Sequence, residues 1–471
     1  MVLGIGSGAT FGEAAKEGVE HCKTHGDAAN NNKAKGRNSM IAWMRDLNTK
    51  ERRTMTACFG GWALDAFDVQ MYSFVIPTVI ALWGLSRGEA GLIGTVTLLI
   101  SSLGGWFSGT LSDRFGRVRM LQLSIIWYSV FTFLCAFAQD FQQLFILRAL
   151  HGLGFGGEWA AGAVLMGEVI RDKYRGRGVG LVQTGWAVGW GGSALVYTAL
   201  YAVLPESIAW RVLFAVGLLP AAFVVWIRRN ISEPEIFHAN RSARPAVGIS
   251  HLLSAFRRPY LWTTVKVSLM VAGAQGGGYA LGIWMPTYLR TVRGLSASST
   301  GGFLLVQIFG ALLGFLLGAY LSDAIGRRLT FMLSAVGSVV MVAVFMFVPM
   351  GNTALLFLGI PLNVMLLMKF PPMGPFMTEL YPTSVRGNAQ GFCYNAGRAI
   401  GALFPTLVGV LSERMPLGLA IAVFSVIAFG LMIVVLLMLP ETRGRSLDSL
   451  EAPAGASGPA MDMLGREEMA P

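Results

Sequence analysis

Long apolar runs recur about a dozen times along the 471-residue chain, and they constrain its fold more than any other feature. The runs at 121–138, 212–227 and 417–439 approach or exceed the ~20 residues that an α-helix needs to cross a ~30 Å hydrocarbon core. The chain is 54% hydrophobic and 13% charged, whereas soluble domains carry about 25% charged residues. The sequence therefore predicts a polytopic α-helical membrane protein.

Apolar runs bounded by charged or Gly/Pro-rich turns predict twelve spans. Six lie in the first half of the chain, at 57–82, 90–111, 119–138, 142–168, 177–201 and 210–228. Six lie in the second half, at 260–289, 299–320, 329–349, 354–378, 388–411 and 417–439.

The polar segments divide the chain into five parts. We predict a cytoplasmic tail at 1–55, a six-helix bundle at 56–228, a cytoplasmic linker at 229–259, a second six-helix bundle at 260–440 and a cytoplasmic tail at 441–471. The first 39 residues lack the apolar core of a signal peptide. We expect them to be disordered, with Met40 as an alternative start of translation.

Basic residues are distributed unequally between the two sides of the predicted membrane region. With the N-terminus in the cytoplasm, 28 of the 37 Lys and Arg residues fall on the inner side, five on the outer side and the remaining four within spans. This distribution follows the positive-inside rule, so both termini are expected in the cytoplasm, and a bacterial inner membrane is the expected location. The net charge of +11 is thus explained by membrane topology rather than by nucleic acid binding.

Two motifs occur twice at nearly the same offset. Residues 109–117 (GTLSDRFGR) return at 318–328 (GAYLSDAIGRR), and Asp113 and Asp323 are 210 positions apart. A glutamate seven residues before an arginine also recurs, at an offset of 211: Glu168 with Arg175, and Glu379 with Arg386. Because six spans separate the copies, and six is even, the halves are parallel repeats.

These repeated loops resemble the signature of the major facilitator superfamily of secondary transporters, and the resemblance covers 56–444. It implies an all-α membrane fold with twelve transmembrane helices in two pseudo-symmetric six-helix bundles. The ending at 440–444 (PETRG) is similar to that of sugar porters. Residues 64–68 (LDAFD) and 148–158 (RALHGLGFGGE) resemble organic-acid:proton symporters of the sialate/monocarboxylate and aromatic-acid groups. These motifs do not fix a substrate.

The repeated loops are candidate gating elements. An acid at the inner end of one helix can pair with a nearby arginine when the inner gate closes and release it when the gate opens. The alternative is that these charges only anchor the topology. The candidate gating residues are Asp113, Gly116, Arg117, Glu168, Arg175, Asp323, Gly326, Arg327, Glu379 and Arg386.

Three acidic residues fall well inside predicted spans, Asp65 and Asp68 in helix 1 and Glu158 in helix 4. A charge at mid-bilayer costs at least ~2.5–3.5 kcal/mol, so such residues are functional candidates. Asp65 and Asp68 share a helix face because they are three positions apart. We predict that these three acids carry the coupling proton.

The second half contributes basic residues, Lys369 in helix 10 and Arg398 in helix 11. The repeat offset of 211 places Lys369 at the position equivalent to Glu158. Arg398 can grip a carboxylate with two hydrogen bonds, whereas Lys369 acts as a point charge. Arg148 in helix 4 is expected to pair with Asp68. Structural salt bridges between helices are the alternative role for these charges.

Polar residues near the membrane centre complete the predicted substrate site. Gln275 and Tyr279 flank three glycines in helix 7, where local unwinding or close packing is possible. Asn395 in helix 11 is a weaker candidate, and packing in the core is an equal alternative for Gln275 and Tyr279. His151 is interpreted as a satisfied interior histidine.

Several other functions are excluded by the sequence. The glycines at 152, 154 and 157 match a dinucleotide fingerprint but lie inside a membrane helix, where small residues allow close packing. There is no Walker A loop, catalytic triad or cysteine pattern for a metal. We expect no enzymatic activity, no cofactor, no metal, and no nucleotide or nucleic acid partner.

The sequence favours a proton-coupled symporter of a small organic anion, either a sialate, a monocarboxylate or an aromatic carboxylate. Its expected partners are that anion, protons and the lipid bilayer, and the chain is expected to act as a monomer. A neutral sugar porter or an exporter of the same superfamily is the alternative. A membrane receptor that does not transport is a further one.

Overall fold

The computed structural model describes residues 43–171, 174–233 and 253–444. Within these ranges the backbone forms helices and connecting turns, without a strand. Twelve helical spans follow one another, in agreement with the predicted number. They are α1 (Thr49–Trp83), α2 (Arg87–Phe115), α3 (Arg117–Cys135), α4 (Phe141–Val169), α5 (Arg175–Val203), α6 (Glu206–Val216 and Leu219–Asn230), α7 (Leu261–Thr291), α8 (Ala297–Ala324), α9 (Arg327–Phe347), α10 (Asn352–Leu367 and Phe370–Thr378), α11 (Thr383–Gly401 and Phe404–Leu411) and α12 (Leu417–Leu437).

Eight of these spans are long and apolar enough to cross a membrane by length and composition. The largest difference from the predicted edges is at α1, which begins at Thr49 rather than at 57. Its polar first turns are helical because Asn48 and Glu51 cap each other. The Glu51 N–H donates to Asn48 Oδ1 at 2.8 Å, and the Asn48 N–H donates to Glu51 Oε2 at 2.9 Å. A search for apolar runs does not detect such a helical extension, because its residues are polar.

Three spans that the sequence predicts as continuous are interrupted. The second segments of α6, α10 and α11 each carry proline in their first turn. Proline has no N–H to donate to the preceding turn and is tolerated at the start of a helix, so each break falls just before it. The break in α10 lies at Met368 and Lys369, which exposes backbone carbonyls next to a buried lysine.

Glycines allow the closest helix approaches in both halves. A side chain at Gly152 or Gly156 on α4 would collide with backbone atoms of Thr97 or Ser101 on α2. The same holds on α8, where Gly310 and Gly318 lie against the backbone of α10. The predicted packing role of the glycines at 152–157 is therefore confirmed, and the two halves use equivalent helix pairs in this way.

The turns between the helices lie on two opposite sides of the bundle. The side holding the turns at Gly116 and Gly326 is the proximal side, and the side holding the turns after α1, α5 and α7 is the distal side. The two halves meet through α2 against α11 and through α5 against α8.

The predicted division into tails, linker and bundles stays a prediction. Residues 1–42, 234–252 and 445–471, which include most of both tails and most of the linker, lie outside the described residues.

Candidate functional site

A column of charged residues lies between α1 and α4. These helices run in opposite directions, and residues at helical spacing put one polar face of each toward the other. From the proximal to the distal side, α1 presents Asp65 and Asp68, while α4 presents Glu158, His151 and Arg148. All five side chains are at most 1% exposed.

Contacts between side chains of α1 and α4 occur at successive positions along this column. A Cβ on Gly61 would meet Glu158 Oε1 at 2.5 Å, which shows that Glu158 faces α1. Asp65 and Glu158 repel each other electrostatically. Next, His151 Nε2 lies 3.6 Å from Asp68 Oδ2. At the distal end, the Arg148 guanidinium lies 5.2 Å from the centre of the Tyr72 ring.

Many polar atoms of the column have no hydrogen-bond partner among the described residues. They are both carboxyl oxygens of Asp65 and of Asp68, both ring nitrogens of His151, Nε and Nη1 of Arg148, and Oε2 of Glu158. Buried polar groups are normally paired, because an unpaired one costs several kcal/mol. Atoms left open in this way are the groups that protons, water or a charged ligand can satisfy.

The predicted ion pair between Arg148 and Asp68 is not formed. Arg148 lies one turn further toward the distal side, over the rings of Tyr72 and Phe214. The position beside Asp68 is taken by His151. The interpretation of His151 as a satisfied interior histidine is also not supported, because both of its nitrogens lack partners within the described part of the chain.

Arg398 brings a positive charge from the second half to this column. Its guanidinium stacks over Phe155 of α4 at 5.3 Å and over Tyr394 at 5.0 Å. It also interacts electrostatically with Asp65. The side chain is 3% exposed, and its Nε has no partner among the described residues. Acids of the first half and a base of the second therefore meet at the interface between the halves.

A small cavity lies next to the column. Its wall includes Gln70, Tyr72, Arg148, Phe155, Trp186 and Tyr279. One guanidinium among aromatic rings suits a small anion with an apolar body, because the rings supply contact area and the cation fixes the charged group. Phe155 joins the two parts of the site, since one ring lines the cavity and carries Arg398.

The structure brings together only some of the predicted substrate residues. Arg148 and Tyr279 line the cavity, and Arg398 lies over the ring of Phe155, which is part of the cavity wall. Gln275 is buried, with its Cβ 3.1 Å from where a side chain on Gly401 would begin. Asn395 donates to the carbonyl of Gly391 at 2.9 Å, and its Oδ1 faces Gly105 of α2.

Lys369 lies apart from the cavity. It is fully buried at the break in α10 and donates to the carbonyl of Leu366. Its ammonium lies 4.9 Å from the centre of the Phe429 ring and 5.1 Å from that of Phe370. Within the described chain it has no carboxylate within ion-pair distance. Its neighbours are therefore aromatic rings and a helix end.

Four of the cavity residues named above were not among the predicted site residues: Gln70, Tyr72, Phe155 and Trp186. Gln70 is a polar residue in a span two positions after Asp68, and that signal was available in the sequence. Phe155 and Trp186 carry no such signal, because an aromatic residue in a membrane helix is usually part of the core or faces lipid.

The second copy of the repeated loop forms an ion cluster on the proximal side. Arg327 contacts Asp323 Oδ1 at 3.0 Å and Glu379 Oε1 at 3.1 Å. Arg386 donates from Nε to the carbonyl of Tyr381 at 3.2 Å. In the first copy, Arg117 donates to the carbonyl of Ser112 at 3.1 Å. The side chains of Asp113, Glu168 and Arg175 lie outside the described set, so gating by these residues stays a prediction.

Two glutamates outside the predicted set cap the helices after these loops. Gly116 and Gly326 turn the chain with φ of 111° and 104°. Glu233 accepts the N–H groups of the first three residues of α3 at 2.9–3.1 Å. Glu441 accepts those of Arg327 and Arg328 on α9, both at 3.0 Å. An acid at a helix N-terminus satisfies open donors and the helix dipole.

The Glu441 cap leads to a pH-dependent prediction. Partial burial opposes ionisation, but backbone N–H donors from Arg443, Arg327, Thr442 and Arg328 outweigh it and lower the pKa of Glu441. A lowered pKa in the folded state means that the stabilisation is present above the ordinary carboxyl pKa and is lost as pH falls through the lowered one. We expect Glu441→Ala to reduce stability by about 0.5–1 kcal/mol at pH 7. Thermal unfolding in detergent measures this. The difference from the original protein should shrink as pH falls through the lowered pKa of Glu441, and a difference independent of pH would contradict the cap.

The distal side is closed by contacts between the two halves. Arg290 of α7 donates to both carboxyl oxygens of Glu206, at 2.7 and 2.8 Å, and to Thr78 Oγ1 of α1 at 3.1 Å. A second contact runs from the Gly88 N–H on α2 to Glu413 Oε1, at 2.9 Å. We call the group of Arg290, Glu206 and Thr78 the distal clasp.

Removing the clasp should open the distal side. The Glu206 side chain is 48% exposed, so its ion pair contributes about 0.5–1 kcal/mol. Losing the pair should therefore raise the population of the state with an open distal side about two- to fivefold. Spin labels at the exposed positions Val203 and Val292 report the distance between the distal ends of the two halves. We expect Arg290→Ala to increase the fraction of long distances by that factor. Arg293→Ala is the matched control, because Arg293 donates to the carbonyl of Met350 within the second half. Equal distributions in both variants would contradict the clasp.

Comparisons with known proteins agree with this architecture. The model of the Major Facilitator Superfamily matches residues 58–405 and 306–462. The chain is 42% identical over 422 residues to a "Probable 4-methylmuconolactone transporter" of Cupriavidus pinatubonensis, covering 89% of this chain and 97% of that protein. It is 30% identical over 383 residues to a "Cis,cis-muconate transport protein" of Acinetobacter baylyi, covering 78% and 89%. Among solved structures, the inward open xylose transporter XylE from E. coli has the same fold, with a TM-score of 0.67, 17% identity, and 84% and 98% of the two chains covered.

Proposed function

The chain belongs to the major facilitator superfamily, and from this membership we propose that it imports a small organic anion together with a proton. It is a multi-pass membrane transporter of that superfamily and not an enzyme. Proton coupling, the anionic substrate and the direction of transport are the proposed parts.

The observation that carries the proposal is the set of buried carboxyl groups without hydrogen-bond partners beside a cavity that holds a guanidinium. An isolated carboxylate in a low-dielectric site is too costly to persist, so Asp65, Asp68 and Glu158 favour states in which a proton or a cation neutralises them. Arg148 and Arg398 offer the opposite charge to a substrate carboxylate. Moving a proton and a carboxylate together carries no net charge across the membrane.

The proposed substrate is a small organic acid with an unsaturated or aromatic body. The relatives named for 4-methylmuconolactone and cis,cis-muconate support this choice. The aromatic wall of the cavity supports it too, because flat apolar groups pack well against Phe155, Trp186 and Tyr279. Sialate and simple monocarboxylates are the other members of the proposed class.

The neutral sugar porter has become a weaker alternative. Its main support was the ending at 440–444, but Glu441 in that ending caps α9. A structural role of this kind does not depend on what is transported. The likeness to the xylose transporter concerns the fold alone, at 17% identity.

The proposed orientation follows from the distribution of charge. We assign the proximal side, with its many basic residues, to the cytoplasm of a bacterial inner membrane, and both termini to the same side. The closed distal clasp then corresponds to the outer gate of an inward-facing transporter. One chain supplies every residue of the proposed site, so the proposed transporting unit is a monomer.

Uptake measurements test the proposal. Cells that express the chain should accumulate labelled muconate or benzoate faster at acidic external pH, and a protonophore should stop the accumulation. Unlabelled carboxylates should compete, while xylose should not. Competition by xylose alone would favour a sugar porter, faster loss of preloaded substrate would favour an exporter, and binding without flux in proteoliposomes would favour a receptor.

A further inference from the structure

Asp68 and His151 lie side by side in the middle of the column. The two side chains come from α1 and α4, are fully buried, and are 3.6 Å apart at Nε2 and Oδ2. That separation is longer than a hydrogen bond. Neither His151 nitrogen and neither Asp68 oxygen has another hydrogen-bond partner in the described parts of the chain.

His151 is held in place by rings rather than by polar groups. Its ring stacks with Phe155 at 6.1 Å between centroids and meets the edge of Tyr128 at 6.2 Å. A histidine with only a packing role would not need a carboxylate beside it. A histidine held in place by hydrogen bonds would have at least one ring nitrogen paired. Between these rings, His151 Nε2 lies 3.6 Å from Asp68 Oδ2.

We propose that Asp68 and His151 act as one proton-accepting pair, in which His151 carries the coupling proton while Asp68 remains ionised. This inference rests on the proposed proton-coupled symport. In the empty pair, Asp68 is a carboxylate and His151 is neutral, with a total charge of −1. One proton binds to Nε2, no other bond breaks, and the loaded pair is a neutral imidazolium–carboxylate ion pair. The new N–H then donates to Asp68 Oδ2 as the gap closes.

The charges around the pair link proton binding to substrate binding. Arg148 lies one turn away on the same face of α4 and opposes a second positive charge on His151. Arg148 also lines the cavity. A substrate carboxylate bound at Arg148 cancels the repulsion between Arg148 and a protonated His151, so bound substrate favours proton binding. By thermodynamic reciprocity, the bound proton then makes substrate binding tighter.

The other titratable and charged groups near the pair come from the neighbouring helices. They are Asp65 and Tyr72 on α1, Tyr128 and Cys135 on α3, Arg148 and Glu158 on α4, and Arg398 on α11. Tyr128 interacts with all three acids, and its hydroxyl has no hydrogen-bond partner within the described residues. Asp65 is balanced by Arg398 and opposed by Glu158. Asp68 thus has His151 as its nearest proton partner.

The first test compares the original protein with His151→Gln in proteoliposomes. Glutamine keeps the size and polarity of the side chain but cannot take up a proton. We expect His151→Gln to lose uphill accumulation of labelled benzoate under an inward proton gradient, at least tenfold. Its affinity for benzoate should no longer change with pH, which a purely structural role would not cause. Uphill accumulation by His151→Gln with the original pH profile would overturn the pair while leaving the proposed function intact.

The second test exchanges the two residues. The double variant Asp68→His with His151→Asp restores an acid–imidazole pair across α1 and α4. We expect it to recover at least a tenth of the accumulation that each single variant loses. A double variant that folds, as judged by benzoate binding, and recovers no accumulation would overturn the pair.

The third test needs no variant. Infrared difference spectra of the original protein, with and without benzoate at acidic pH, should show imidazolium bands in the loaded state and no new protonated carboxyl band. A protonated carboxyl band that disappears in Asp68→Asn would overturn the assignment of the proton to His151. If the original protein shows no proton-driven uptake at all, the proposed function fails and this inference fails with it.

Discussion

Asp68→Asn is expected to abolish the uphill accumulation of a carboxylate substrate in response to an inward proton gradient. Asparagine preserves the shape of the side chain but carries no charge and binds no proton. In Asp68→Asn the pair with His151 therefore loses its ion partner, and a buried imidazolium becomes too costly to form. The internal substrate concentration should then stop at the external value.

Exchange of labelled for unlabelled substrate should survive in Asp68→Asn better than accumulation does. Exchange moves a loaded carrier in both directions and requires no net release of a proton. Asp140→Asn is the matched control, because Asp140 is a carboxylate at the distal end of α4 that caps Gln143, and asparagine caps helices equally well. Unchanged accumulation in Asp68→Asn, measured with labelled benzoate in proteoliposomes, would remove Asp68 from the coupling site.

Arg398→Ala is expected to raise the half-saturation concentration for carboxylate substrates by about 30-fold or more. Truncating one member of a buried charge pair costs about 2–5 kcal/mol, and each 1.4 kcal/mol is tenfold in affinity. The loss has two parts in this site. The substrate loses a donor, and Asp65 loses the positive charge that balances it.

Arg398→Lys separates charge from geometry. Lysine keeps the positive charge but cannot stack flat over Phe155 or donate two parallel hydrogen bonds. We expect a loss of about tenfold, between the original protein and Arg398→Ala. Arg414→Ala is the control, because Arg414 is an exposed arginine just after α11. Initial uptake rates over a range of concentrations give these values, and equal half-saturation in Arg398→Ala and Arg414→Ala would exclude Arg398 from the substrate site.

The spans could be predicted from the sequence because hydrophobic length is a local property. The membrane core sets the number of apolar residues, so each span is visible without knowledge of its neighbours. The same reasoning located Asp65, Asp68 and Glu158 at depths where they can meet. The prolines at the breaks of α6, α10 and α11 are also local signals, but hydropathy averaged over a whole span does not reveal them.

Side-chain partners could not be predicted in the same way. One residue of shift turns a helix position by about 100°, and the two repeated motifs already differ by one, at 210 and 211. The offset therefore did not fix the helix face that Lys369 occupies, and Lys369 lies against Phe429 of α12 rather than in the cavity. Arg398 reaches the column through Phe155, and no spacing in the sequence relates those two residues.

The distal clasp illustrates the same limit. Arg290 and Glu206 are 84 positions apart, in different halves. Each resembles an ordinary loop charge in the sequence, and only the folded structure shows that the two side chains are paired. Long-range pairs of this kind are the part of a transporter that changes between its two states.

Substrate-driven proton movement tests the central claim most directly. Proteoliposomes that contain the purified chain in weakly buffered medium are given benzoate or muconate, and the external pH is followed. We predict a prompt external alkalinisation with the original protein, none with Asp68→Asn, and none when xylose replaces the carboxylate. Uptake of labelled carboxylate by the original protein without any change in external pH would contradict proton coupling.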